Sequence, residues 1–407
     1  MSNAHPPPHP LDLPEIRSLI AQALDQPTLA SCARVCRAWH ASFVPHLWCR
    51  LDLHDKRFLS TPKLIDFDAA LKKHGHLVRD IRLEWMQMDF PAVVSSCCNL
   101  QRLGIYQSQV IDNESNTDLT QSWEDLFSLL SRNPRIEELA VQLQSKVIFP
   151  TAFWRSVASS LPLIRTLRIH GAMIVIEDKS NNGADTSIDA FLDACLTVER
   201  LDLDFIAFQC PSQSPCSRWT DCRIFPALRH LSFFGRTHLD LEFLSKCLAS
   251  HALQSLRWST HHQDHYTPAM LAPQVTRLIV EARLAALKSL ELWDGMPFSD
   301  QEIASILDSL VMPLKELSVA ESGFGELALT SLLRQPSQDH LLDLGHATDE
   351  SAQATKLRRI PHTATLEDLD LSDCPDVTET MILRIGALSP NLKTFFYSLE
   401  PQQRTVV

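Results

Sequence analysis

The feature that most constrains the fold is a six-residue pattern, h-x-x-L-x-L with h an apolar residue, that recurs along almost the whole chain. Twelve copies occur, ending at Leu53, Leu83, Ile105, Val141, Ile169, Leu203, Phe233, Trp258, Leu292, Val319, Leu371 and Tyr397. Apolar residues that alternate with polar ones are typical of a strand with one buried face. The long interval after Val319 holds a candidate thirteenth copy, HLLDLG, with Leu342 and Leu344 in phase.

Stretches with apolar residues at three- and four-residue spacing separate these copies, and such spacing is typical of amphipathic helices. The predicted helices are 63–73, 122–131, 153–160, 188–195, 241–248, 270–283, 301–310, 326–333 and 379–388. The mean period is about 29 residues, at the long end of leucine-rich repeats. Residues 51–400 are therefore predicted to form an α/β, right-handed leucine-rich-repeat solenoid of 12 or 13 irregular repeats, a horseshoe with parallel strands on the concave face and helices outside.

One copy, LEDLDLSDCPDVTE, resembles the cysteine-containing subtype of leucine-rich repeat. In that subtype the cysteine side chain caps the turn after the strand, so the resemblance assigns this role to Cys374. Most other copies lack an equivalent Asn or Cys, and their loops vary in length. Residues 401–407 are predicted to be a tail.

The N-terminal part of the chain has a different organisation, with a Pro- and His-rich tail over residues 1–10 and two helical stretches over residues 11–50. Their apolar stripes are Ile16, Leu19, Ile20, Ala23 and Leu24, then Leu29, Cys32, Cys36, Trp39 and Phe43. Asp12 is the predicted N-cap of the first stretch, and Pro45 is the predicted end of the second. A unit this short cannot bury a core alone, so it must pack on another domain or another protein.

Four blocks within residues 11–50 resemble an F-box in order and spacing. They are Leu13-Pro14-Glu15-Ile16, Leu29, Val35-Cys36-Arg37-Ala38-Trp39-His40, and Leu47-Trp48. The resemblance implies docking onto the Skp adaptor, which bridges to a cullin and a RING subunit. The adaptor contacts that it implies are Leu13, Pro14, Ile16, Leu19, Ile20 and Trp39. The alternative is that the same side chains form a helical cap on the repeat array, since repeat proteins need terminal caps.

The strand pattern also predicts a target-binding surface, because side chains alternate between the two faces of a strand. With the two L positions of each copy turned inward, the intervening and following residues face the concave side. The predicted target-binding residues are Tyr106, Arg168, His170, Asp202, Asp204, Phe234, Glu291, Trp293 and Asp370. Aromatic and Arg residues often dominate binding energy, and the acidic members suggest a target with a basic segment. The alternative is that loops or the C-terminal segment cover these residues.

Composition excludes several other classes of protein. The 49 acidic residues outnumber the 37 basic ones, which argues against nucleic-acid binding. No apolar run approaches the roughly 20 residues that span a bilayer, so no membrane insertion is expected. Cysteines at apolar helical positions, Cys32, Cys36, Cys195 and Cys247 among them, indicate reduced thiols and a location in the cytoplasm, the nucleus or both.

No catalytic residues, cofactor or metal are predicted. Only 10 glycines occur and no phosphate-binding loop is found. Cys210, Cys216, Cys222 and His230 are a candidate set of zinc ligands, but the usual C-x-x-C pairs are missing, so a zinc site is not predicted. The sequence therefore favours a non-catalytic substrate-recognition subunit of an SCF-type ubiquitin ligase that binds the Skp adaptor, with its cullin, and an unknown target protein. The alternative is a leucine-rich-repeat scaffold that binds proteins without directing ubiquitin transfer, and an enzyme is the least favoured class.

Overall fold

The computed structural model describes most of the chain. The described residues are 9–53, 64–84, 90–107, 116–175, 187–204, 207–209, 225–234, 238–250, 252–259, 271–293, 298–334 and 361–398. They belong to two compact units. The first unit takes in Met1–Lys146 and Ala152–Arg165, and the second takes in Val147–Thr151 and Thr166–Val407.

The first unit begins with three helices and continues with alternating strands and helices. The helices are α1 (Pro14–Gln22), α2 (Gln26–Cys32) and α3 (Arg37–Cys49). The alternating elements are β1 (Arg50–Asp52), α4 (Leu64–His74), β2 (Asp80–Glu84), α5 (Phe90–Ser96), β3 (Arg102–Tyr106), α6 (Asn116–Arg132), β4 (Glu138–Ile148) and α7 (Thr151–Ser160). Strands β1 to β4 pair in chain order, and every pair is parallel.

The second unit repeats the same alternation over a longer stretch. Its elements are β5 (Thr166–Val175), α8 (Ser187–Ala194), β6 (Arg200–Asp204), β7 (Ala207–Gln209), β8 (His230–Phe234), α9 (His238–Leu248), β9 (Ser255–Ser259), α10 (Ala272–Ala282), β10 (Ser289–Trp293), α11 (Asp300–Ser309), β11 (Glu316–Ser318), α12 (Glu326–Leu333), β12 (Asp368–Leu371), α13 (Glu379–Leu388) and β13 (Thr394–Tyr397). The strand order is β5-β6-β8-β9-β10-β11-β12-β13, all parallel, and the short β7 pairs with the end of β5.

The predicted α/β repeat architecture is confirmed in both units. Each of the twelve sequence copies contains one strand, and the two L positions of the first eleven copies are buried, whereas in the last copy Phe395 is half-buried and Tyr397 is exposed. Leu201 and Leu203 of β6 illustrate this, since both are fully buried while Asp202 between them is half-buried. The parallel pairing follows from the helical crossover that separates successive strands.

Helix boundaries follow local capping chemistry. Ser299 begins α11 with a capping box, in which the Glu302 amide donates to the Ser299 hydroxyl at 3.4 Å and the Glu302 carboxylate accepts from the Ser299 amide at 2.7 Å. Thr378 caps α13 by accepting from the Met381 amide at 3.3 Å. These caps lie in the sequence itself, which is why α11 begins within one residue of its predicted start at residue 301 and α13 begins at its predicted start, Glu379.

Three expectations for the N-terminal helices were wrong. The N-cap of α1 is Leu13, without a side-chain cap, because Asp12 belongs to a 3-10 turn that spans Pro10–Asp12. The second helical stretch is two helices, α2 and α3, separated by a turn. Pro45 lies inside α3 instead of ending it.

The repeat pattern also missed two elements. Helix α5 has only seven residues, and strand β7 has only three, so neither produces a periodic signal. The candidate thirteenth copy around Leu342 lies outside the described residues. Strands β11 and β12 pair directly with each other.

Buried polar side chains tie one repeat to the next. The Leu100 amide donates to Asn133 Oδ1 at 2.9 Å, and Asn133 Nδ2 donates to the Cys97 carbonyl at 3.0 Å. In the second unit, His362 connects neighbouring repeats in the same way. The Leu314 amide donates to His362 Nδ1 at 3.0 Å, and His362 Nε2 lies 3.3 Å from the Leu307 carbonyl oxygen.

The predicted role of Cys374 as a turn cap is confirmed. Its thiol is buried and lies 3.2 Å from the Val319 carbonyl oxygen, to which it donates. Burial raises the pKa of this thiol, so it stays protonated and remains a donor.

The geometry of His362 makes the second unit sensitive to acid. Because Nδ1 accepts a backbone hydrogen bond, the ring must be neutral with its proton on Nε2. Burial lowers the pKa of His362 below 6.5. Its contribution to stability is therefore fully present above about pH 6.5, the unfolded value, and is lost as pH falls through the lower folded pKa.

We expect His362→Ala to lower the free energy of unfolding by about 2 to 3 kcal/mol near neutral pH, because it leaves a buried amide and a buried carbonyl unpaired. The variant should also show a flatter dependence of the thermal midpoint on pH between about pH 7 and about pH 5. Thermal melts of both proteins across that range measure the effect. Parallel curves for the variant and the original would contradict the assigned protonation state.

Candidate protein-binding sites

The three N-terminal helices pack around a small core of their own. Five buried residues form it, Ala21, Leu29, Ala33, Phe43 and Val44. Partly buried side chains pack against this cluster, namely Ile20, Leu24, Cys32, Trp39, Leu47, Trp48 and Leu77. The helix α2 that crosses this core is capped by Asp25, which accepts from the Thr28 amide at 3.0 Å.

The six predicted adaptor contacts divide into two groups. Leu13 is 40% exposed, Leu19 is 62% exposed and Pro14 is also exposed, while Ile16 is half-buried. These four residues, at the N-cap and in the first two turns of α1, are named here the α1 surface. Ile20 and Trp39 instead pack against the core, and Trp39 stacks on Phe43 with ring centroids 5.2 Å apart.

Val35 is a further exposed apolar residue of the F-box-like segment. It lies in the turn between α2 and α3 and is exposed to solvent. Val35 belongs to the F-box-like motif but is not one of the six predicted adaptor contacts. The exposure of Val35 makes it a further candidate contact with a partner protein. Large apolar groups exposed on two neighbouring elements are typical of a protein-binding surface.

The helical unit is joined to the first repeat by direct packing. Trp48 stacks on His74 of α4 with ring centroids 5.0 Å apart, and Gln26 Nε2 donates to the Arg50 carbonyl at 2.6 Å. Burial is the main cause that lowers the pKa of His74. The unit therefore packs on the first repeat through one side while the α1 surface stays exposed, so the cap interpretation and the docking interpretation are compatible.

The second candidate site is the polar face of the sheet in the second unit. One row of residues runs straight across eight strands in register, Arg168, Asp202, Ser232, Arg257, Glu291, Ser318, Asp370 and Phe396. We call this the central row. It contains four of the predicted target-binding residues, so the pattern-based rule placed them on one face as expected from strand alternation.

Neighbouring strands pair the charges of this face. Arg168 Nε and Arg200 Nε each lie 3.1 Å from Asp202 Oδ2, and Arg257 Nε lies 3.4 Å from Glu291 Oε2. One position further along the strands, His170 Nδ1 lies 2.5 Å from Asp204 Oδ2. The acidic residues that suggested a basic target are therefore partly compensated within the face itself.

Asp370 has partners of a different kind. Its Oδ1 accepts from the Ser372 amide at 3.0 Å and from the Ser372 hydroxyl at 2.6 Å. Its Oδ2 accepts from the Ser318 hydroxyl at 3.4 Å. All three bonds come from neutral donors, and they hold the carboxylate in place on the polar face.

The predicted aromatic positions Phe234 and Trp293 flank one central strand. Both lie opposite Ser259 of β9, Phe234 on β8 and Trp293 on β10. Their side chains lie outside the part of the chain that the structure describes. Ser259 itself is fully buried, and its hydroxyl has no hydrogen-bond partner among the described residues.

Tyr106 belongs to the first unit and is more enclosed than predicted. It is half-buried, and it lies in register between Glu84 and Gln142. A Cβ placed on Gly104 would come within 2.8 Å of Tyr106 Cε2, so the ring covers this glycine. The glycine two residues earlier on the same face is what allows the ring to lie flat against its strand.

The structure offers little for catalysis or metal binding in the residues it describes. No group of three or more His, Cys, Asp or Glu residues in these ranges could hold a metal ion. Three residues of the candidate zinc site, Cys210, Cys216 and Cys222, lie outside the described residues, and His230 lies in β8. Burial raises the pKa of Cys195 and Cys247, as expected for cysteines that act as small hydrophobic residues, whereas Cys36 is exposed.

Comparisons with known proteins agree with the N-terminal geometry. Residues 12–54 match the family model described as F-box-like, so this segment is an F-box-like domain. No curated protein matches the chain. Among solved structures, a chain in the crystal structure of the Rad7 and Elc1 complex in yeast is 16% identical, with a TM-score of 0.31, over 85% of this chain and 87% of that chain.

Among the described residues, no helix is both long enough and apolar enough to cross a membrane.

Proposed function

We propose that the chain is a non-catalytic substrate-recognition subunit of an SCF-type ubiquitin ligase. In this proposal the F-box-like domain binds the Skp adaptor, and the repeat array binds a target protein. The observation that carries the proposal is the exposed α1 surface, Leu13, Pro14, Ile16 and Leu19, on a segment that matches the F-box-like model. Apolar groups left exposed on a folded domain favour a protein partner.

The mechanism of such a subunit is proximity. Through the adaptor, a cullin and the subunits bound to it would carry out ubiquitin transfer, and this chain would hold the target near them. Linking the two binding events raises the effective concentration of the target at the reacting centre. The packing of Trp48 on His74 supports this role, because a domain packed directly on the first repeat holds that repeat at a fixed distance from the adaptor.

We place the target on the polar face of the second unit. The polar face combines fixed charges with aromatic positions, and Phe396 at the end of the central row is 58% exposed. Charges already paired with each other orient a partner more than they attract it, so shape and aromatic contacts would supply the affinity. The predicted contacts there remain Arg168, His170, Asp202, Asp204, Phe234, Glu291, Trp293 and Asp370, with Tyr106 in the first unit.

A repeat scaffold that binds proteins without directing ubiquitin transfer is the second candidate function. The partial cap role of the helical unit, seen in the packing of Leu77 on its core, favours this alternative. In either case we propose an intracellular site of action, in the cytoplasm, the nucleus or both. The described cysteines are all free thiols, which fits a reducing compartment.

One affinity-purification experiment tests the function. Three versions of the tagged chain are compared by mass spectrometry: the original, a version with Leu13→Ala and Pro14→Ala, and a version with Phe234→Ala and Trp293→Ala. We expect the second to lose the Skp adaptor and cullin while it keeps the target, and the third to lose the target while it keeps the adaptor. The original complex should also modify its captured target when supplied with ubiquitin and its activating and conjugating enzymes.

Two results would reject the proposal in different ways. An adaptor signal that is undiminished in the second version would show that the F-box-like domain does not dock through α1. A captured protein that binds but is never modified by the assembled complex would leave the scaffold function as the better description.

A further inference from the structure

Arg17 of α1 is a charged residue that is almost completely buried. Its side chain is only 7% exposed, and its Nε atom is buried without a hydrogen-bond partner. Within the described residues, no Asp or Glu forms an ion pair with its guanidinium. A buried charge without a counter-charge destabilises a folded domain. The F-box-like domain therefore holds a positive charge that no described residue neutralises.

Arg17 lies where the α1 surface meets the core of the three helices. A helical side chain neighbours those three and four positions away. Toward the C-terminus these are Ile20 and Ala21, which pack in the core. Toward the N-terminus they are Leu13 and Pro14, which are exposed. Because long helical side chains point toward the helix N-terminus, the guanidinium is directed to the exposed turn at the start of α1.

The same turn of α1 carries open backbone donors. The N-cap, Leu13, has no side-chain oxygen that could accept a hydrogen bond, and Pro14 has no N–H group. The amides of Glu15 and Ile16 have no acceptor in the part of the chain that the structure describes. Such amides, together with the partial positive charge of a helix N-terminus, favour an anion.

Glu15 does not supply this anion, although it is the described acid in the first turn of α1. Its side chain is exposed, and side chains two positions apart on a helix do not face each other. A cation in the first turn of a helix is itself unfavourable. The buried guanidinium and the two open amides therefore lack the same thing, a negatively charged group.

We propose that the start of α1 is a carboxylate-binding site whose occupant is an Asp or Glu side chain of the adaptor. The site, named here the carboxylate site, consists of the Arg17 guanidinium and the amides of Glu15 and Ile16. This inference rests on the proposed function, because the adaptor is the protein expected to cover the α1 surface. The planar guanidinium matches the two oxygens of a carboxylate, so the contact fixes orientation and contributes affinity.

Coverage of the α1 surface is what makes a counter-charge necessary. Leu13 and Pro14 lie on the turn toward which Arg17 points, so a protein that docks on them also covers the edge of Arg17 that still reaches water. The guanidinium would then be fully removed from water, and only a carboxylate of the partner could compensate for that loss. An adaptor surface without an acid at this place would therefore bind weakly.

Arg17→Met tests the carboxylate site, because it keeps an unbranched apolar stem and removes the charge. Titration calorimetry of the full chain with purified adaptor should show an affinity that is lower by at least about tenfold. The thermal midpoint of the free chain should stay the same or rise, because a buried charge without a counter-charge is gone. A structural role would instead lower both the affinity and the midpoint.

Two further variants serve as controls. Arg17→Lys keeps the positive charge but loses the planar fork, so it should recover only part of the lost affinity. Arg277→Met removes an exposed arginine of α10, outside the F-box-like domain, and should leave the affinity for the adaptor unchanged. Circular dichroism shows whether each variant is folded.

A panel of adaptor variants identifies the partner group. Each variant changes one Asp or Glu of the adaptor to Asn or Gln, and its affinity is measured for the original chain and for Arg17→Met. We expect one adaptor acid whose change weakens binding to the original chain by at least about tenfold and leaves binding to Arg17→Met unaltered. Such coupling is the signature of a direct pair.

Three results would overturn the inference while the proposed function stands. They are an Arg17→Met chain that binds the adaptor as tightly as the original, an Arg17→Met chain that melts at a clearly lower temperature, and a panel in which no adaptor acid is coupled to Arg17. An original chain that does not bind the adaptor at all would reject both the inference and the proposed function.

Discussion

A chain with Leu13→Asp and Leu19→Asp should lose essentially all measurable affinity for the Skp adaptor, a weakening of at least about 100-fold. Both leucines are exposed on the α1 surface, so neither carboxylate disturbs the core around Phe43. In the complex each would be removed from water without a counter-charge, which costs several kcal/mol. Titration calorimetry with purified adaptor measures the loss.

The control for this variant uses the same substitution at a leucine of similar exposure in the same unit. Leu163→Asp, in the turn after α7, changes the net charge in the same direction but lies outside the F-box-like domain. It should bind the adaptor as the original does. If both variants bound the adaptor equally well, the adaptor would not dock on α1. Circular dichroism and the melting temperature show whether each variant is folded.

The sequence was informative where one local rule decides the structure. Alternation of apolar residues located twelve of the thirteen described strands, and α12 and α13 begin and end at the predicted residues, Glu326–Leu333 and Glu379–Leu388. Each repeat packs mainly on its neighbours, so a local pattern carries most of the information about the fold. The elements that were missed, α5 and β7, are too short to show a period.

Pairing between repeats could not be predicted in the same way. The bond of Arg257 to Glu291 and that of His170 to Asp204 depend on which residues stand opposite each other in the sheet. The repeat pattern places these residues on the same face of neighbouring strands, but it does not specify which side chains bond across the strands. Strands β11 and β12 pair directly although a long interval separates them in sequence.

A family resemblance identifies a motif but not the faces of its helices. Six residues of the F-box-like segment were assigned to the adaptor on the motif alone, and two of them, Ile20 and Trp39, are partly buried against the core of the three helices. Buried positions are as regular within a motif as exposed ones. Only three-dimensional packing separates Trp39, whose ring stacks on Phe43, from Leu19, whose side chain is exposed.

Replacing Leu201 by alanine should lower the free energy of unfolding by about 2 to 5 kcal/mol. Leu201 is fully buried in β6, and it lies in register between Leu167 of β5 and Leu231 of β8, which are also buried. Removing three carbons leaves a cavity against both neighbours, and the paired backbones of the sheet limit how far the strands can close it.

The array geometry determines how this loss should appear. The stability of a repeat protein is approximately the sum of the stability of each repeat and of the interfaces between neighbouring repeats. One weakened strand therefore destabilises two interfaces, and the unfolding transition can separate into two steps. Chemical unfolding followed by fluorescence and by circular dichroism detects such a split as two midpoints. Leu383→Ala, at the exposed leucine of α13, is the matched control and should change the free energy by less than about 0.5 kcal/mol. If Leu201→Ala unfolded at the same denaturant concentration as the original, Leu201 could not be a core residue and the register of β6 would be wrong.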